Sequence, residues 1–216
     1  MTSSIQSKID GVFATLSEVS PAPKTELKYL NDFTLLVAII LSAQSTDIGV
    51  NRATHELFKI AKTPSEILNI GIEGLKNYIK SLGLYNTKAK NIIFLCKILL
   101  NEYNGIIPIN LEELEKLPGV GSKTARVFLN CAHEVPIIAV DTHVFRVNKR
   151  LGIAKGAYPK LVERELNEIV PDRWKLNAHH WLILHGRYVC KARKPDCKNC
   201  CISKYCDFYM ENNNVS

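Results

Sequence analysis

The chain has 216 residues, 46% hydrophobic and 23% charged, the balance of one large globular domain or two small ones, which excludes a disordered or fibrous chain. Its longest strongly apolar run, Leu35 to Leu41, is seven residues where a membrane span requires roughly 20, and the first ten residues hold no apolar segment of an export signal. With 28 Lys and Arg against 21 Asp and Glu, the net charge of +7 favours a polyanionic partner such as nucleic acid.

The predicted elements, in chain order, are helices. Thr63, Pro64 and Glu66 make a capping box with proline at the first helical position. Gly83 closes the amphipathic stretch Leu75, Ile79, Leu82. Asn86 opens a helix in which Ile92, Ile93, Cys96, Leu99 and Leu100 recur at helical spacing up to Gly105. Asn110 with Glu113 starts a short helix, Leu111 to Leu117, which Pro118-Gly119 ends. Further helices are expected over about Ser122 to Ala132, from Asp141 to Gly152, and over roughly Tyr158 to Val170. Only Pro136 to Val140 reads as a strand, and it has no partner. The expected fold is all-α, with eight to ten short helices.

Three constellations carry chemistry. The first is the hairpin Leu111 to Ala132. Gly119 and Gly121 let its backbone turn tightly and come close to another molecule, and the free N–H groups at the start of its second helix make an anion site suited to a phosphodiester. Lys123 sits in the first turn of that helix, where the dipole disfavours an ammonium. With partial burial, such a lysine is prepared as a nucleophile; the alternative is an exposed contact to phosphate. The second is Asp141, a helix N-cap. A carboxylate held there is favoured in its charged form and can also stabilise a developing cation.

The third is Cys190, Cys197, Cys200 and Cys206, a C-x6-C-x2-C-x5-C pattern. Seven cysteines is an odd count that cannot close into intramolecular disulfides alone. Without an export signal, the expectation is a cytoplasmic protein, not secreted, that binds a metal or cluster. Four close thiolates fit a tetrahedral zinc or a cubane iron–sulfur cluster. The lack of paired C-x2-C knuckles lowers the zinc reading without removing it, and Cys201 could stand in for Cys200. Around them, Arg187, Lys191, Arg193, Lys194, Lys198 and Lys204 face one acid, Asp196. Cys96 and Cys131 fall on apolar helix faces, as small core hydrophobes do.

Leu117-Pro118-Gly119-Val120-Gly121-Ser122-Lys123-Thr124-Ala125, Val140-Asp141-Thr142-His143-Val144-Phe145-Arg146-Val147, the run His180 to Arg187 and the cysteine spacing together resemble the bacterial endonuclease III family. These are helix-hairpin-helix DNA glycosylases and AP lyases of base-excision repair. The resemblance covers nearly the whole chain, with four motifs in the right order. It implies a six-helix barrel domain over 25–135, containing the hairpin at about 111–132. A second helical domain, built from 1–24 plus 136–216, would carry a [4Fe–4S] cluster in the loop 190–206. The cluster ligands would be Cys190, Cys197, Cys200 and Cys206, leaving Cys201 out. DNA would bind across the cleft between the domains.

The activity implied is removal of an oxidised pyrimidine such as thymine glycol from double-stranded DNA. Lys123 would attack C1′ and form a Schiff base, Asp141 would stabilise the cationic sugar, and β-elimination would nick 3′ to the abasic site. Gln44 and Leu84 would fill the vacated stack. Gly119, Val120 and Gly121 would bind phosphate through the hairpin backbone, joined by Lys191, Arg193 and Lys194. His143 is expected to orient backbone, and the segment around Trp181 to be core. The protein is expected to be a monomer, associated with the nucleoid through DNA and with no membrane partner. Adenine-excising relatives lack the hairpin lysine and carry a glutamate in the segment corresponding to Gln44 to Asp47; this chain has Lys123 and no such glutamate. A rival of another class is a DNA-binding module without catalysis, stapled by zinc. An RNA-directed protein has only the charge in its favour.

Overall fold

The computed structural model describes residues 2–213. Among the described residues there are eleven α-helices, one 3-10 turn and no strand. The all-α class holds, and the helix count exceeds the expected eight to ten. Two compact units divide the chain: Glu26–His133, and Met1–Thr25 together with Glu134–Ser216. No helix among the described residues is long and apolar enough to cross a membrane.

The unit Glu26–His133 contains α2 (Asp32–Ser42), α3 (Asp47–Ile60), α4 (Pro64–Ile79), α5 (Tyr85–Glu102), α6 (Leu111–Lys116) and α7 (Ser122–His133). The apolar run is α2, buried without interruption from Phe33 to Leu41. Asn31 and Thr34 close a reciprocal capping box at its start. Half of the box predicted at α4 is formed: Thr63 Oγ1 accepts from the Glu66 N–H, while Glu66 Oε2 accepts at 2.7 Å from the N–H of Lys62, one residue before the cap. Gly71, at φ +67, breaks the helical path inside α4. Leu82 falls outside α4, which ends at Ile79, and α5 starts one residue before Asn86, capped by Leu84 at φ +58. Gly105, at φ +79, returns its N–H to the Leu99 carbonyl at 2.7 Å and so closes α5.

The other unit contains α1 (Thr2–Val19), α8 (Thr142–Leu151), α9 (Pro159–Ile169), α10 (Asp172–Tyr188), the 3-10 turn Ser203–Tyr205 and α11 (Asp207–Asn213). Both ends of the chain contribute to its core, in which Ile9, Val12 and Phe13 pack with Val144, Val147, Leu166 and Trp181. Trp181 is buried, as expected, and its indole N–H donates to the Ser20 carbonyl at 2.7 Å. Lys8 reaches the Leu151 carbonyl (2.6 Å) and Asp207 Oδ1 (2.5 Å), joining α1 to the last turn of α8 and to α11. The segment read as a strand, Pro136 to Val140, carries no regular structure and pairs with no strand among the described residues. Side chains take the place of a partner. Asn167 accepts from the Ile138 N–H (2.9 Å) and donates to its carbonyl (2.8 Å), Glu163 accepts from the Val140 N–H (3.1 Å), and His179 Nδ1 lies 2.9 Å from the Ala139 oxygen. These contacts satisfy the backbone polar groups that a sheet would otherwise pair.

Candidate functional site

Local signals build the hairpin. Asn110 Oδ1 accepts from the N–H groups of Glu112 and Glu113 and starts α6. The turn closes through Leu117 N–H to Leu114 O (3.1 Å) and Val120 N–H to Leu117 O (3.0 Å). Gly119 is at φ +81, and a Cβ there would lie 3.1 Å from Asn91 Cβ, so both its conformation and its neighbour demand glycine. Val120 is buried and anchors the turn, whereas Gly121 opens onto empty space. Lys123 stands in the first turn of α7 and is exposed. This is the exposure of the phosphate-contact alternative, without the partial burial that the nucleophile reading invoked.

Asp141 caps α8: its Oδ1 accepts from the N–H groups of His143 and Val144, both at 2.8 Å, and the residue is half-buried. His143 is held from two sides. Its Nδ1 lies 3.2 Å from Arg146 Nη2, and a Cβ at Gly186 would come within 2.9 Å of its own Cβ.

Gln44 and Leu84 share one conformation, at φ +53 and +58. Both are exposed, Leu84 to 56%, too far out for a core residue. Their loops meet: a Cβ at Gly83 would lie 3.3 Å from the Gln44 carbonyl oxygen. Sequence reasoning missed Lys88, a buried lysine whose Nζ donates to the Leu41 carbonyl (2.8 Å) and to Ser45 Oγ (3.0 Å). Desolvation lowers its pKa.

Cys190, Cys197, Cys200 and Cys206 line one small cavity of about 20 Å³, walled by apolar residues that include Val147, Leu151, Val189, Ile202 and Phe208. Cys201 is exposed and lies outside this lining. Among the described residues, no three His, Cys, Asp or Glu side chains converge on a single ion position. Burial pushes the Cys200 thiol up to about 11 and raises Cys206 as well. It also drives His185, 3.5 Å from Cys200 Sγ, down to about 4.

Two arginines that sequence reasoning did not single out hold the loop. Arg150 donates to Cys190 Sγ (3.2 Å), the Lys191 carbonyl (2.7 Å) and the Ala192 carbonyl (3.1 Å), and Arg146 donates to the Cys190 carbonyl (3.0 Å). Lys191, Arg193 and Lys194 are exposed on the part of the loop so held. Cys96 and Cys131 face inward, and burial raises both thiols to about 12.

Residues 37–172 match the HhH-GPD superfamily of base excision DNA repair proteins. Endonuclease III of Rickettsia conorii is 60% identical over 202 residues, covering 94% of this chain and 96% of its own. The Escherichia coli K12 enzyme is 51% identical over 197 residues, covering 91% and 93%. The chain belongs to the endonuclease III family. It is a base-excision DNA repair enzyme, a DNA glycosylase with AP lyase activity, in a family that binds an iron–sulfur cluster. Among solved structures, a non-covalent endonuclease III–DNA complex superposes with a TM-score of 0.89 at 41% identity, covering 97% of this chain and 98% of that one. A trapped covalent endonuclease III–DNA intermediate gives 0.88 at 41% identity, covering 99% of each.

Proposed function

We propose that the chain removes oxidised pyrimidines, thymine glycol among them, from double-stranded DNA and then cuts the strand through a Schiff base on Lys123. The observation that carries this reading is an exposed lysine in the first turn of α7, directly behind the Leu117–Gly121 turn, in a family with a solved covalent DNA intermediate. An oxidised pyrimidine stacks poorly and costs less to flip out than a normal base. The neutral Lys123 amine attacks C1′ as the glycosidic bond breaks, and the base leaves with the bonding electrons and a proton. Asp141, anionic at its helix N-terminus, stabilises the positive charge that develops on the sugar. The sugar ring opens to an imine between Lys123 and C1′. Loss of a C2′ proton then expels the 3′ phosphate, and water releases the enzyme.

Gln44 and Leu84 enter the gap left in the stack, while the backbone of Gly119, Val120 and Gly121 binds phosphate at the hairpin. Cys190, Cys197, Cys200 and Cys206, four inward-facing thiols around one apolar-walled space, fit a [4Fe–4S] cluster. The cluster would supply covalent closure of the loop 190–206, so that Lys191, Arg193 and Lys194 meet phosphates from a fixed platform. In this reading 25–135 is a six-helix barrel domain, and 1–24 with 136–216 is the cluster domain. The protein acts as a cytoplasmic monomer on nucleoid DNA.

Borohydride trapping on a duplex with one thymine glycol tests the assignment. Wild type gives a covalent protein–DNA adduct, and Lys123→Ala gives none. A folded wild type that binds the duplex without forming an adduct would remove Lys123 as the Schiff-base nucleophile on this substrate.

A further inference from the structure

Lys88 is a buried cation for which the proposed chemistry has no use. It is 4% exposed, and taking an ammonium out of water is costly unless acceptors compensate. Its acceptors are the Leu41 carbonyl in the last turn of α2 and the Ser45 hydroxyl in the loop that follows. The last carbonyls of that helix need partners from outside it. Ile39 O receives the Ser42 hydroxyl (2.8 Å), Ile40 O the Ala43 N–H (3.4 Å) and Ser42 O the Ser45 N–H (3.1 Å); Leu41 O receives Lys88. The negative end of the helix dipole favours a cation at that point.

The second acceptor, Ser45, follows Gln44 directly. Gln44 holds a left-handed conformation that is strained for a residue with a Cβ, so the loop needs anchors on both sides of it. Lys88 supplies both, at Leu41 and at Ser45. From the same residue, the Lys88 N–H bonds the carbonyl of Leu84 at 3.0 Å. One side chain and its own backbone therefore tie the Gln44 tip to the Leu84 tip, whose loops already touch at Gly83.

We propose that Lys88 is a positioning residue that fixes the spacing of Gln44 and Leu84, so that both enter the duplex as one wedge. The proposal rests on the reading of Gln44 and Leu84 as the groups that fill the vacated stack. The Lys88 ammonium is committed to two protein acceptors, so it competes with Lys123 neither for DNA nor for C1′.

The test uses Lys88→Met, which keeps chain length and removes the charge and donors, in the full-length protein. The first readout is 2-aminopurine placed opposite a tetrahydrofuran abasic analogue, whose fluorescence rises when the wedge unstacks it. The second is the single-turnover rate on a thymine glycol duplex, set beside cleavage of an abasic site in single-stranded DNA, which has no opposite strand to displace. Lys88→Met is expected to lose most of the fluorescence rise and to slow duplex excision roughly tenfold or more, the cost of misplacing groups by about an ångström. Single-strand cleavage and borohydride trapping there stay at the wild-type level. Ser45→Ala, a milder change, gives a smaller loss in the same pattern and decides the matter if Lys88→Met does not fold.

An unchanged duplex rate and fluorescence in a folded variant overturns the proposal. So does equal slowing on both substrates, which marks general damage. Gln44→Ala and Leu84→Ala separate the two readings. If neither lowers the fluorescence rise, the wedge assignment itself fails. If both abolish it while Lys88→Met does not, only the positioning role falls.

Discussion

The hairpin Leu111–His133 and the cysteine loop 190–206 both present charge to the surface, yet they are held in opposite ways. The hairpin's boundary signals are local, although its turn packs against Asn91 of α5 and Ile40 of α2. Its cap, turn and helix starts all come from neighbouring residues, and one glycine at φ +81 settles the chain reversal. The loop has only short turns of its own, at 197–200 and 200–203, and the 3-10 turn Ser203–Tyr205. It hangs on Arg146 and Arg150 from α8, on His185 from α10 and on four thiols that face a common space. A region built from local backbone chemistry needs nothing bound to keep its shape. One built from distant side chains and thiols depends on its neighbours and on the group those thiols would hold.

The most severe way to break this contrast is Cys197→Ala. It is expected to leave 190–206 close to unprotected in hydrogen exchange and to weaken DNA binding, while protection in 111–133 stays unchanged; equal loss in both regions would show that the hairpin is not independent. Acid comes next. Burial, helped by the neighbouring ring of His179, pushes His180 down to about 3. The folded state therefore takes up its proton later than the unfolded chain does, and the stability His180 contributes is complete above about pH 6.5 and is lost on the way to pH 3. The full loss is roughly 5 kcal/mol and falls on the unit that carries the loop. Chemical unfolding across that range checks it, and His180→Gln flattens the slope if the assignment is right. The smallest effect is Gly119→Ala, where a left-handed alanine against Asn91 costs about 1–3 kcal/mol. It should lower the melting temperature of the hairpin unit and leave the loop's exchange untouched.

The same division explains what could be read from the sequence. Helices with local boundary signals were legible, down to the cap at Asp141 and the stop at Gly152, which the structure places at φ +71. The helix α2 escaped because it is buried on every side and shows no amphipathic period. In α1 there is no acidic residue in the first turn and no basic one in the last to mark a start or a stop, and Gly71 hides a break inside an otherwise regular pattern. Pro136 to Val140 has the composition of a strand, but the residues that pair its backbone lie on α9 and α10, and no local pattern reveals them.

Among the site residues, Lys123 and Asp141 could be placed on their elements from capping and turn residues alone. The exposure of Lys123 could not, since it depends on how far the packed side chains reach. Lys88 was invisible for the same reason: its acceptors are 47 and 43 residues away, and in sequence it is one more lysine on a helix.

The segment before Asp141 also bears on how the molecule is made. The hairpin unit is one continuous stretch of chain, closed by His133. Asp141 follows a backbone fastened by Glu163, Asn167 and His179, and α1 finds its core partners only when Trp181 and Asp207 have been added. Domains fold as units while synthesis proceeds from the N-terminus. A nascent chain therefore completes the unit that bears Lys123 before the helices that fasten the segment leading to Asp141 have been made.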